Sequence, residues 1–513
     1  MQTLHELPND IAALKQLVLT QQAQLQSREW EIERLKLQLA RLRRMQFGRS
    51  SEQLSAEIAQ LELQLGALEV NQGERIPATL TASLDKSTER RQPKRRPLPP
   101  HLPREIITHT PACLCPECGG ELRHIGEDVA EIIERVPEHF KVIRHVRPKF
   151  SCAHCQSLVQ CAAPSRPIAR GMAGPGFIAH VLVSKYGDHL PLYRQSQILE
   201  RQQIDIDRST LSGWVSSSTT AFIPLGHVLM GYVLSAGKLH ADDTPLPVLE
   251  PGLGKTKTGR LWTYVRDDRP AGSTDPSAVW FAYSPDRKGM HPNTHLAHYS
   301  GVLQADGYAG FNGLYDRTKS PLMEAACWAH VRRKLFDYYE TTESPIALEG
   351  LHRIGALSAI EEDINGQLPD IRRSVRQARA VPLLKDLHAW FSSTIQQLNN
   401  TTRKSELAIA INYTLTRWEA LTCYCNDGRI DMTNNTAERS LRAVALGRKN
   451  YLFAGSDKGG ERAAMMYSLI GTCKLNAIDP EAYLRYVLTH IADHPVHLIE
   501  ELLPWNVAPV LKA

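Results

Sequence analysis

The stretch KLHADDTPLPVL, residues 238–249, predicts a β-strand in which apolar residues lead into two acids, Asp242 and Asp243. The segments that follow it, RLWTYVRDD and SAVWFAYSP, predict two more strands. A helical stretch near residues 287–298 then leads to GVLQADGYAGF, which predicts a fourth strand ending at Asp306. One acid thus ends the first strand and another ends the fourth. In an α/β fold these acids lie side by side if the two strands are neighbours.

The strand-end acids predict a divalent-metal site. Mg²⁺ prefers hard oxygen ligands and keeps some of its waters, so carboxylates from neighbouring strands suit it. The candidate ligands are Asp242, Asp243 and Asp306. Asp306 has a competing interpretation as a turn residue, because it precedes Gly307 and Asp-Gly is a common turn pair.

A third acid, Glu438, stands among several cations in MTNNTAERSLRAVALGRKNYLFAG, residues 432–455. Asn435 lies three residues before it, a spacing typical of a capping box at a helix start. The alternative is that Glu438 binds a metal ion while the surrounding cations hold a polyanion against it. On this stretch alone the cap is the simpler interpretation, and both stay open.

Four cysteines form two close pairs, Cys115-Pro-Glu-Cys118 and Cys152-Ala-His-Cys155. Each pair brings two sulfurs to one side of an ion, so the set suits tetrahedral zinc. The long segment between the pairs includes EIIERVPEHFKVIRHVRPKF, which predicts paired strands. We therefore expect a ribbon-like structural zinc module, with Cys113 and Cys161 as bystanders or substitutes.

Residues 175–218 have a helical pattern that resembles a helix-turn-helix, although any helical hairpin looks similar. LPLYRQSQILERQ precedes IDIDRSTLSGWVSS, in which Asp207 can cap a second helix. The buried side of that helix would carry Leu211, Trp214 and Val215. The candidate DNA contacts on its other side are Arg208, Ser209 and Thr210.

The N-terminal part of the chain, residues 8–70, predicts two amphipathic helices. A heptad repeat links Val18, Leu25, Ile32 and Leu39. The helices either self-associate as an imperfect coiled coil, which we favour, or pack on their own chain. The following segment RRQPKRRPLPPHLPR is rich in basic residues and proline, typical of an extended linker that lies along phosphates or acts as a solvated spacer.

The composition is that of a multidomain protein of the cytoplasm. The chain has 513 residues and a net charge of +5, which alone identifies no partner. Its 10 cysteines are too sparse for a disulfide scaffold. The N-terminus does not resemble a secretory signal, and no apolar run is long enough to cross a membrane.

Several motifs resemble, in order, those of the insertion-sequence-66 family of transposases: HADDTP, LQADGYAGFN, CWAHVRRK and NNTAERSLRAVALGRKNYLFAGSDKGGERAA. LRRMQFGRSSEQL resembles the family's N-terminal segment, and the two cysteine pairs resemble its zinc-binding domain. DPEAYLRYVLTHIADHPVHLIEELLPWN resembles its C-terminal segment, so the resemblance spans nearly the whole chain. It implies an Asp-Asp-Glu transposase with a ribonuclease-H-like core.

By position, the resemblance implies that the catalytic acids are Asp242, Asp306 and Glu438. They would hold two Mg²⁺ ions, or Mn²⁺, for attack on a phosphodiester. The cations that would then neutralise DNA phosphates are Arg442, Arg448 and Lys449. A metal site explains Glu438 together with both aspartates, whereas a cap alone does not, and the two are compatible. One departure is that the family usually has Asp-Glu-Thr-Pro where this chain has Asp242-Asp243-Thr244-Pro245.

The motif CWAHVRRK contains Cys327 and His330, just ahead of a helix-rich stretch. These residues resemble a Cys-x-x-His feature that follows the second Asp in several transposase groups. The competing interpretation is a buried helix start with Trp328 in the core. Neither interpretation is preferred from the sequence.

We therefore expect a multidomain α/β protein with a ribonuclease-H-like catalytic core, a helical insertion, N-terminal coiled-coil helices and a zinc-ribbon-like module. The expected segments are a coiled N-terminus (1–71), a basic linker (72–109), a zinc module (110–165), a helical DNA-binding segment (166–234), the core (235–472, with its insertion at about 340–425) and a helical C-terminus (473–513).

The expected function is metal-dependent cleavage of the ends of an insertion sequence and their joining to target DNA. The expected partners are the element's terminal inverted repeats, target DNA, further copies of the chain and accessory proteins of the same element, at the bacterial nucleoid. The alternatives are a non-catalytic, zinc-containing DNA-binding repressor, for instance a transposase relic, and a structure-selective nuclease.

Overall fold

The computed structural model describes residues 98–512, with short internal gaps at 112–113, 117, 137–138, 169–170, 251–254, 316–321 and 402–405. The predicted N-terminal helices, most of the basic linker and Cys113 lie outside the described residues. Residues 96–248 and 257–513 cluster as one unit. Among the described residues, no helix combines the length and the apolar character needed to cross a membrane.

The first sheet contains the described strands β1 Arg104–Thr108, β2 Leu122–Val136, β3 His139–Cys152 and β4 Leu158–Gln160. β2 and β3 form a long antiparallel hairpin, which confirms the predicted paired strands. β1 runs parallel to β3, so residues 104–108 belong to the sheet, contrary to the predicted end of the linker at 109. Because β1 is short and mostly exposed, its pairing with β3, and not its own pattern, makes it a strand.

A run of helices connects the two sheets: α1 Pro175–Tyr186, α2 Leu192–Arg201, α3 Arg208–Ala221 and α4 Ile223–Leu234. They confirm the predicted helical segment, and α3 buries Leu211, Trp214 and Val215 as expected. Asp207 occupies the N-cap position of α3, but its side chain makes no capping hydrogen bond. The predicted side-chain cap is therefore wrong. The carboxylate is exposed, where water competes with the backbone for it.

The second sheet orders its described strands β7-β6-β5-β8-β9. Their bounds are β5 Lys238–Leu249, β6 Thr256–Arg266, β7 Ala278–Ser284, β8 Val302–Gln304 and β9 Met323–Ala325, with a short helix, α5 Met290–His295, before β8. β6 and β7 are antiparallel, whereas β8 is parallel to both β5 and β9. The first and fourth predicted strands of this region are therefore neighbours, as a shared site for their acids requires.

The predicted helical insertion follows β9. Its helices are α6 Trp328–Thr342, α7 Pro345–Asp363, α8 Pro369–Val375, α9 Val381–Thr401, α10 Glu406–Thr416 and α11 Trp418–Thr422. They share a hydrophobic core that includes Val331, Ile354, Phe391 and Ile411. Most of the large residues of the second sheet belong to a different core, which extends through α1–α4 and the C-terminal helices. The insertion is therefore a packed helical body attached to a mixed α/β protein.

The helices after the insertion are α12 Asn435–Gly447, α13 Asp457–Leu475, α14 Pro480–His490 and α15 Pro504–Lys512. α13 packs against β7. The hydroxyl oxygens of Ser468 and Thr472 accept hydrogen bonds from the backbone N–H groups of Phe281 and Val279, at 2.8 and 3.1 Å. These bonds close an edge that would otherwise present unpaired backbone groups. α13 runs to Leu475, so the predicted domain boundary between 472 and 473 falls inside a helix.

Candidate active site

Asp242 and Asp306 come from neighbouring parallel strands. β5 pairs with β8 up to His240, which lies opposite Gln304. Asp242 and Asp306 each lie two residues beyond that last pair, so the same register sets them next to each other. The structure thus brings together the two aspartates that the sequence analysis paired.

β5 does not end at its acids, contrary to the sequence prediction. It continues to Leu249 with buried and exposed residues alternating after Asp243. The backbone N–H of Ala454 donates to the carbonyl oxygen of Pro247 at 2.8 Å, so the segment after α12 pairs with this extension. The strand continues because its second half has a distant partner, which the local sequence does not show.

Asp242 lies in a field of like charge. Burial raises the pKa of Asp242 to about 7, and the negative charges of Asp306, Asp243 and Glu438 add to this shift. Such charges act strongly only at short range in a poorly solvated site. The three predicted catalytic acids therefore share one electrostatic environment. Among the described residues, however, their oxygens do not all lie within 4.8 Å of one another.

Asp306 also has the turn role that competed with its metal role. Its Oδ1 accepts the backbone N–H of Tyr308 at 3.0 Å, across Gly307, whose φ is 78°. Any side chain at that position would be strained, and its Cβ would lie 2.7 Å from Nε of Arg417. The turn uses one carboxylate oxygen of Asp306, so the other oxygen can bind a metal ion.

Asp243 forms ion pairs with two arginines, which offset the charge that it adds beside Asp242. Its side chain is 1% exposed and lies 3.0 Å from Nη1 of Arg260 and 2.8 Å from Nη2 of Arg287. Its backbone N–H donates to Oδ1 of Asp242 at 2.7 Å. The two adjacent aspartates thus differ in environment: Asp243 is neutralised by two arginines, and Asp242 faces other acids.

Glu438 lies in the first turn of α12, but the capping box predicted for it is absent. α12 begins at Asn435, its N-cap residue is Asn434, and no side chain caps the helix. The amide of Asn434 instead contacts Nδ1 of His240 at 3.1 Å and donates to the carbonyl oxygen of Ala241 at 2.8 Å. The capping-box interpretation of this stretch does not hold, because tertiary contacts with β5, and not a local side-chain bond, set where α12 starts.

The carboxylate of Glu438 contacts residues at the start of α6. Its Oε2 lies 3.3 Å from Nη2 of Arg333, and its Oε1 lies 3.7 Å from Nε2 of His330. Cys327, at the N-cap position of α6, belongs to the same group. Trp328 is buried, so the expected buried helix start and a cluster around Glu438 are both present.

Asp431, in the loop before α12, is a residue of this region that was not predicted from the sequence. It contacts the side chains of Lys238, His240 and Arg372. Burial alone would raise the pKa of Asp431, but these three neighbours hold it well below its ordinary value. The available signal was in β5, where Lys238 and His240 are polar residues at alternate positions of an otherwise apolar stretch.

The four paired cysteines lie together as predicted. Their sulfur atoms are all within 4.8 Å of one another, and Sγ of Cys118 is 3.4 Å from those of Cys152 and Cys155. Zn–S bonds of about 2.3 Å at tetrahedral angles separate sulfurs by roughly 3.8 Å, so the set fits zinc. Hydrogen bonding to Ser157 lowers the pKa of Cys155 to about 6, which favours the thiolate. Cys161 is outside the group.

The predicted DNA contacts of α3 lie at its start. Arg208 and Ser209 are exposed, and Thr210 is half-buried. α2 packs against α3, and the six residues 202–207 connect them, a longer connection than the turn of three or four residues that is typical of a helix-turn-helix. This face is therefore accessible to a partner.

The predicted DNA contacts around α12 differ from one another. Arg442 and Lys449 are exposed. Arg448 is half-buried, and its Nη1 donates to the carbonyl oxygen of Pro245 at 2.8 Å. Burial lowers the pKa of Arg448. Arg448 thus holds α12 against β5, whereas the other two cations extend into solvent.

Comparison with known proteins matches family models along most of the chain. The matched descriptions are Transposase IS66 family over residues 170–462, IS66 C-terminal element over 468–505, zinc-finger binding domain of transposase IS66 over 112–156, and Transposase C of IS166 homeodomain over 34–107. The last match supports the predicted coiled-coil N-terminal region. The zinc-finger match, together with the four-cysteine group, supports a structural zinc ion.

Three relatives from Sinorhizobium fredii (strain NGR234) are similar over nearly their whole length. The protein y4hP is 43% identical, covering 92% of this chain and 88% of the relative. The proteins y4jD and y4qI are 36% and 34% identical, covering 99% and 98% of this chain and 98% of each relative. All three carry the name "uncharacterized protein". The family matches support a transposase role with DNA as a partner. The chain belongs to the insertion-sequence-66 family of transposases.

Proposed function

We propose that the protein cleaves the ends of an insertion sequence and joins them to target DNA by two-metal phosphodiester chemistry. The observation that carries the proposal is the shared electrostatic environment of Asp242, Asp306 and Glu438. Asp242 is on β5, Asp306 follows the neighbouring strand β8, and Glu438 is in the first turn of α12. Burial and the charges of Asp306 and Glu438 make the ionised carboxylate of Asp242 costly unless a cation binds it.

The arrangement of the second sheet supports a ribonuclease-H-like core. An antiparallel pair, β6 and β7, lies on one side of β5, and the parallel strands β8 and β9 lie on the other. The first acid is on the central strand and the second directly follows its parallel neighbour. α12, which carries the third acid, is tied to the central strand through Asn434. This is the arrangement that we expect of an Asp-Asp-Glu transposase core.

The three acids fit Mg²⁺, or Mn²⁺, because they offer hard oxygen ligands and a negative potential. Bound ions would activate a water or a 3′-hydroxyl and stabilise the leaving oxygen. Asp242, Asp306 and Glu438 would hold them. Asp243 would keep β5 in place through its two arginines.

Exposed residues of two helices would contact DNA. Arg208, Ser209 and Thr210 on α3 would contact a groove or its phosphates. Arg442 and Lys449 would neutralise phosphates beside the acids, so binding should weaken as salt rises. Paired element ends need at least two protomers, and the N-terminal leucine-zipper-like region is our candidate for joining them. We also propose a cytoplasmic location, action at the nucleoid and help from accessory proteins of the element.

The repressor alternative needs the zinc module and α3 but has no use for three interacting acids. The nuclease alternative needs the acids but no joining step. Both alternatives therefore make different predictions for a reaction with paired element ends and target DNA.

The test incubates purified protein with labelled element ends, target DNA and Mg²⁺. We expect cleaved ends and joined products. Asp306→Asn should lose both while retaining DNA binding in a gel-shift assay. Asp386→Asn, which changes an exposed acid on α9, is the matched control and should behave like the wild type. DNA binding without cleavage by the wild type would favour the repressor, and cleavage without joining would favour the nuclease.

A further inference from the structure

We propose that Cys327, His330 and Glu438 form a third metal site, beside the four-cysteine group and the proposed Mg²⁺ site, which binds a thiophilic divalent cation such as Zn²⁺ or Co²⁺. Their ligand atoms all lie within 4.8 Å of one another. Cys327 and His330 come from the start of α6, and Glu438 comes from the first turn of α12. One ion can therefore bind all three and link the two helices.

The distance between His330 and Glu438 fits two ligands of one ion better than a hydrogen bond. Nε2 of His330 is 3.7 Å from Oε1 of Glu438, beyond the range of a hydrogen bond. Zinc bonds of about 2.0–2.2 Å to nitrogen and oxygen, at tetrahedral angles, separate the two ligand atoms by about 3.4 Å. A shift of a few tenths of an ångström, on the scale of ordinary thermal motion, would bring them to that separation.

Polar atoms of both side chains lack a partner at this place. Among the described residues, Oε1 of Glu438 and Nδ1 of His330 are buried side-chain atoms without a hydrogen bond. Buried polar atoms in folded proteins are almost always paired. A carboxylate oxygen that is buried, unpaired and directed at an imidazole and a thiol therefore points to a cation between them.

Backbone N–H groups surround the sulfur of Cys327 and would support a metal-bound thiolate. Cys327 is 1% exposed, and its Sγ accepts the backbone N–H of Asn434 at 3.0 Å. The backbone N–H groups of Ala329 and His330, at the start of α6, also face the sulfur. N–H groups at a helix start favour the thiolate form that a metal requires. Burial raises the pKa of the free thiol, so formation of the sulfur–metal bond releases one proton.

The ligand set distinguishes this site from the proposed Mg²⁺ site. Sulfur and imidazole ligands select Zn²⁺ or Co²⁺, whereas Mg²⁺ prefers oxygen alone. Three protein ligands leave a fourth position for water. The nearby cation, Arg333, contacts the other carboxylate oxygen of Glu438, and its side chain is 57% exposed, so it can turn into solvent.

Glu438 would be a ligand both at the proposed Mg²⁺ site and at the site with Cys327 and His330. An ion bound at the latter site would therefore regulate cleavage. An ion held by Cys327 and His330 would keep Glu438 away from Asp242 and Asp306. We therefore expect Zn²⁺ to inhibit Mg²⁺-dependent cleavage. This consequence rests on the proposed function, whereas the binding site itself does not.

The binding test titrates the full-length, zinc-loaded protein with Co²⁺ while zinc release is measured, so that exchange at the four-cysteine group is detected. We expect one Co²⁺ per chain, with thiolate-to-cobalt absorption and no zinc release. Cys327→Ser should abolish that absorption and weaken Co²⁺ binding at least tenfold. Cys161→Ser, which changes a cysteine outside both groups, is the matched control. If the wild type shows no such absorption, or if Cys327→Ser retains it, the site does not exist.

His330→Gln provides a second variant in case Cys327→Ser does not fold. It keeps the thiol and should still weaken Co²⁺ binding at least tenfold, and unchanged binding would overturn the proposal. A parallel cleavage assay with Mg²⁺ separates the two claims. Co²⁺ binding without any cleavage would contradict the proposed function but support the metal site. Cleavage without Co²⁺ binding would contradict the metal site but support the proposed function.

Discussion

The ammonium nitrogen of Lys238 lies 2.8 Å from Oδ2 of Asp431, and the lysine side chain is 1% exposed. The other oxygen of Asp431 lies 2.9 Å from Nη2 of Arg372, on helix α8 of the insertion. Lys238 is on β5, four residues before Asp242. One carboxylate thus ties the strand that carries the first acid to the helical insertion.

Asp431→Asn should destabilise the protein strongly. It removes the shortest ion-pair partner of the buried Lys238 and Arg372, whose other acids, Asp268 and Glu361, lie 3.5 and 3.7 Å away. Breaking such buried ion pairs costs on the order of 3–5 kcal/mol in the free energy of unfolding. Denaturant titration measures this loss. The matched control is Asp363→Asn, which breaks an ion pair with Arg379 whose side chains are 58% and 52% exposed. That variant should lose less than about 1 kcal/mol. Equal losses of unfolding free energy in the two variants would show that the contacts of Asp431 do not stabilise the protein more than an exposed ion pair does.

Without added divalent metal, the free energy of unfolding should fall as the pH rises, because Asp242 loses its proton. Burial and like charges raise its pKa from 3.8 to about 7 in the folded protein. The folded state therefore holds this proton more tightly, so the contribution to stability is complete below about pH 4 and is lost as the pH rises to about 7. The difference between these two pKa values corresponds to about 4 kcal/mol in the free energy of unfolding.

Asp242→Asn has no charge to lose, so its free energy of unfolding should vary less between about pH 4 and pH 8 than that of the wild type. Denaturant titrations at several pH values, without added Mg²⁺, measure the difference. Parallel curves for the two proteins would show that Asp242 titrates normally in the folded state.

Asp243→Asn should affect stability more than metal binding. Asp243 is buried against Arg260 and Arg287, so its loss leaves charged donors unpaired at a cost of about 1–3 kcal/mol. The folded variant should still cleave element ends with Mg²⁺, whereas Asp242→Asn should not. Complete loss of cleavage in fully folded Asp243→Asn protein would mean that Asp243 is the metal ligand.

Loss of zinc should unfold the first sheet without unfolding the second. Structural zinc contributes on the order of 10 kcal/mol to small modules. Cys118→Ser should therefore lose zinc and the hydrogen-exchange protection of β2 and β3, while β7 and α13 stay protected. Metal analysis and hydrogen exchange measure both quantities. A protein that contains no zinc but still protects β2 and β3 would contradict the structural role.

The strands β5 and β8 could be predicted because their apolar runs are local signals. Asp242 follows the apolar run within β5, and Asp306 lies two residues after the end of β8. β1 could not be predicted, since its residues 104–108 are mostly exposed and become a strand only through β3. The end of β5 was misplaced for the same reason, because its extension pairs with Ala454, far along the chain.

The surroundings of the candidate site were less predictable than its acids. Asn435 and Glu438 have the spacing of a capping box, but the contact of Asn434 with Ala241 decides where α12 begins. Asp431 contacts residues of β5 and α8, and no periodic pattern in the sequence around Asp431 predicts these contacts. Local patterns therefore predict the elements and the acids, whereas long-range ion pairs and backbone contacts set their final geometry.

The central claim is that Asp242, Asp306 and Glu438 hold the same metal ions. Crystals of the protein with element-end DNA and Mn²⁺ test it directly, because anomalous scattering locates the ions. We expect manganese bonded to oxygens of all three acids, with Asp243 still paired to Arg260 and Arg287. Manganese bound at Asp243, or a Glu438 carboxylate that contacts no ion while the DNA is in place, would contradict the account.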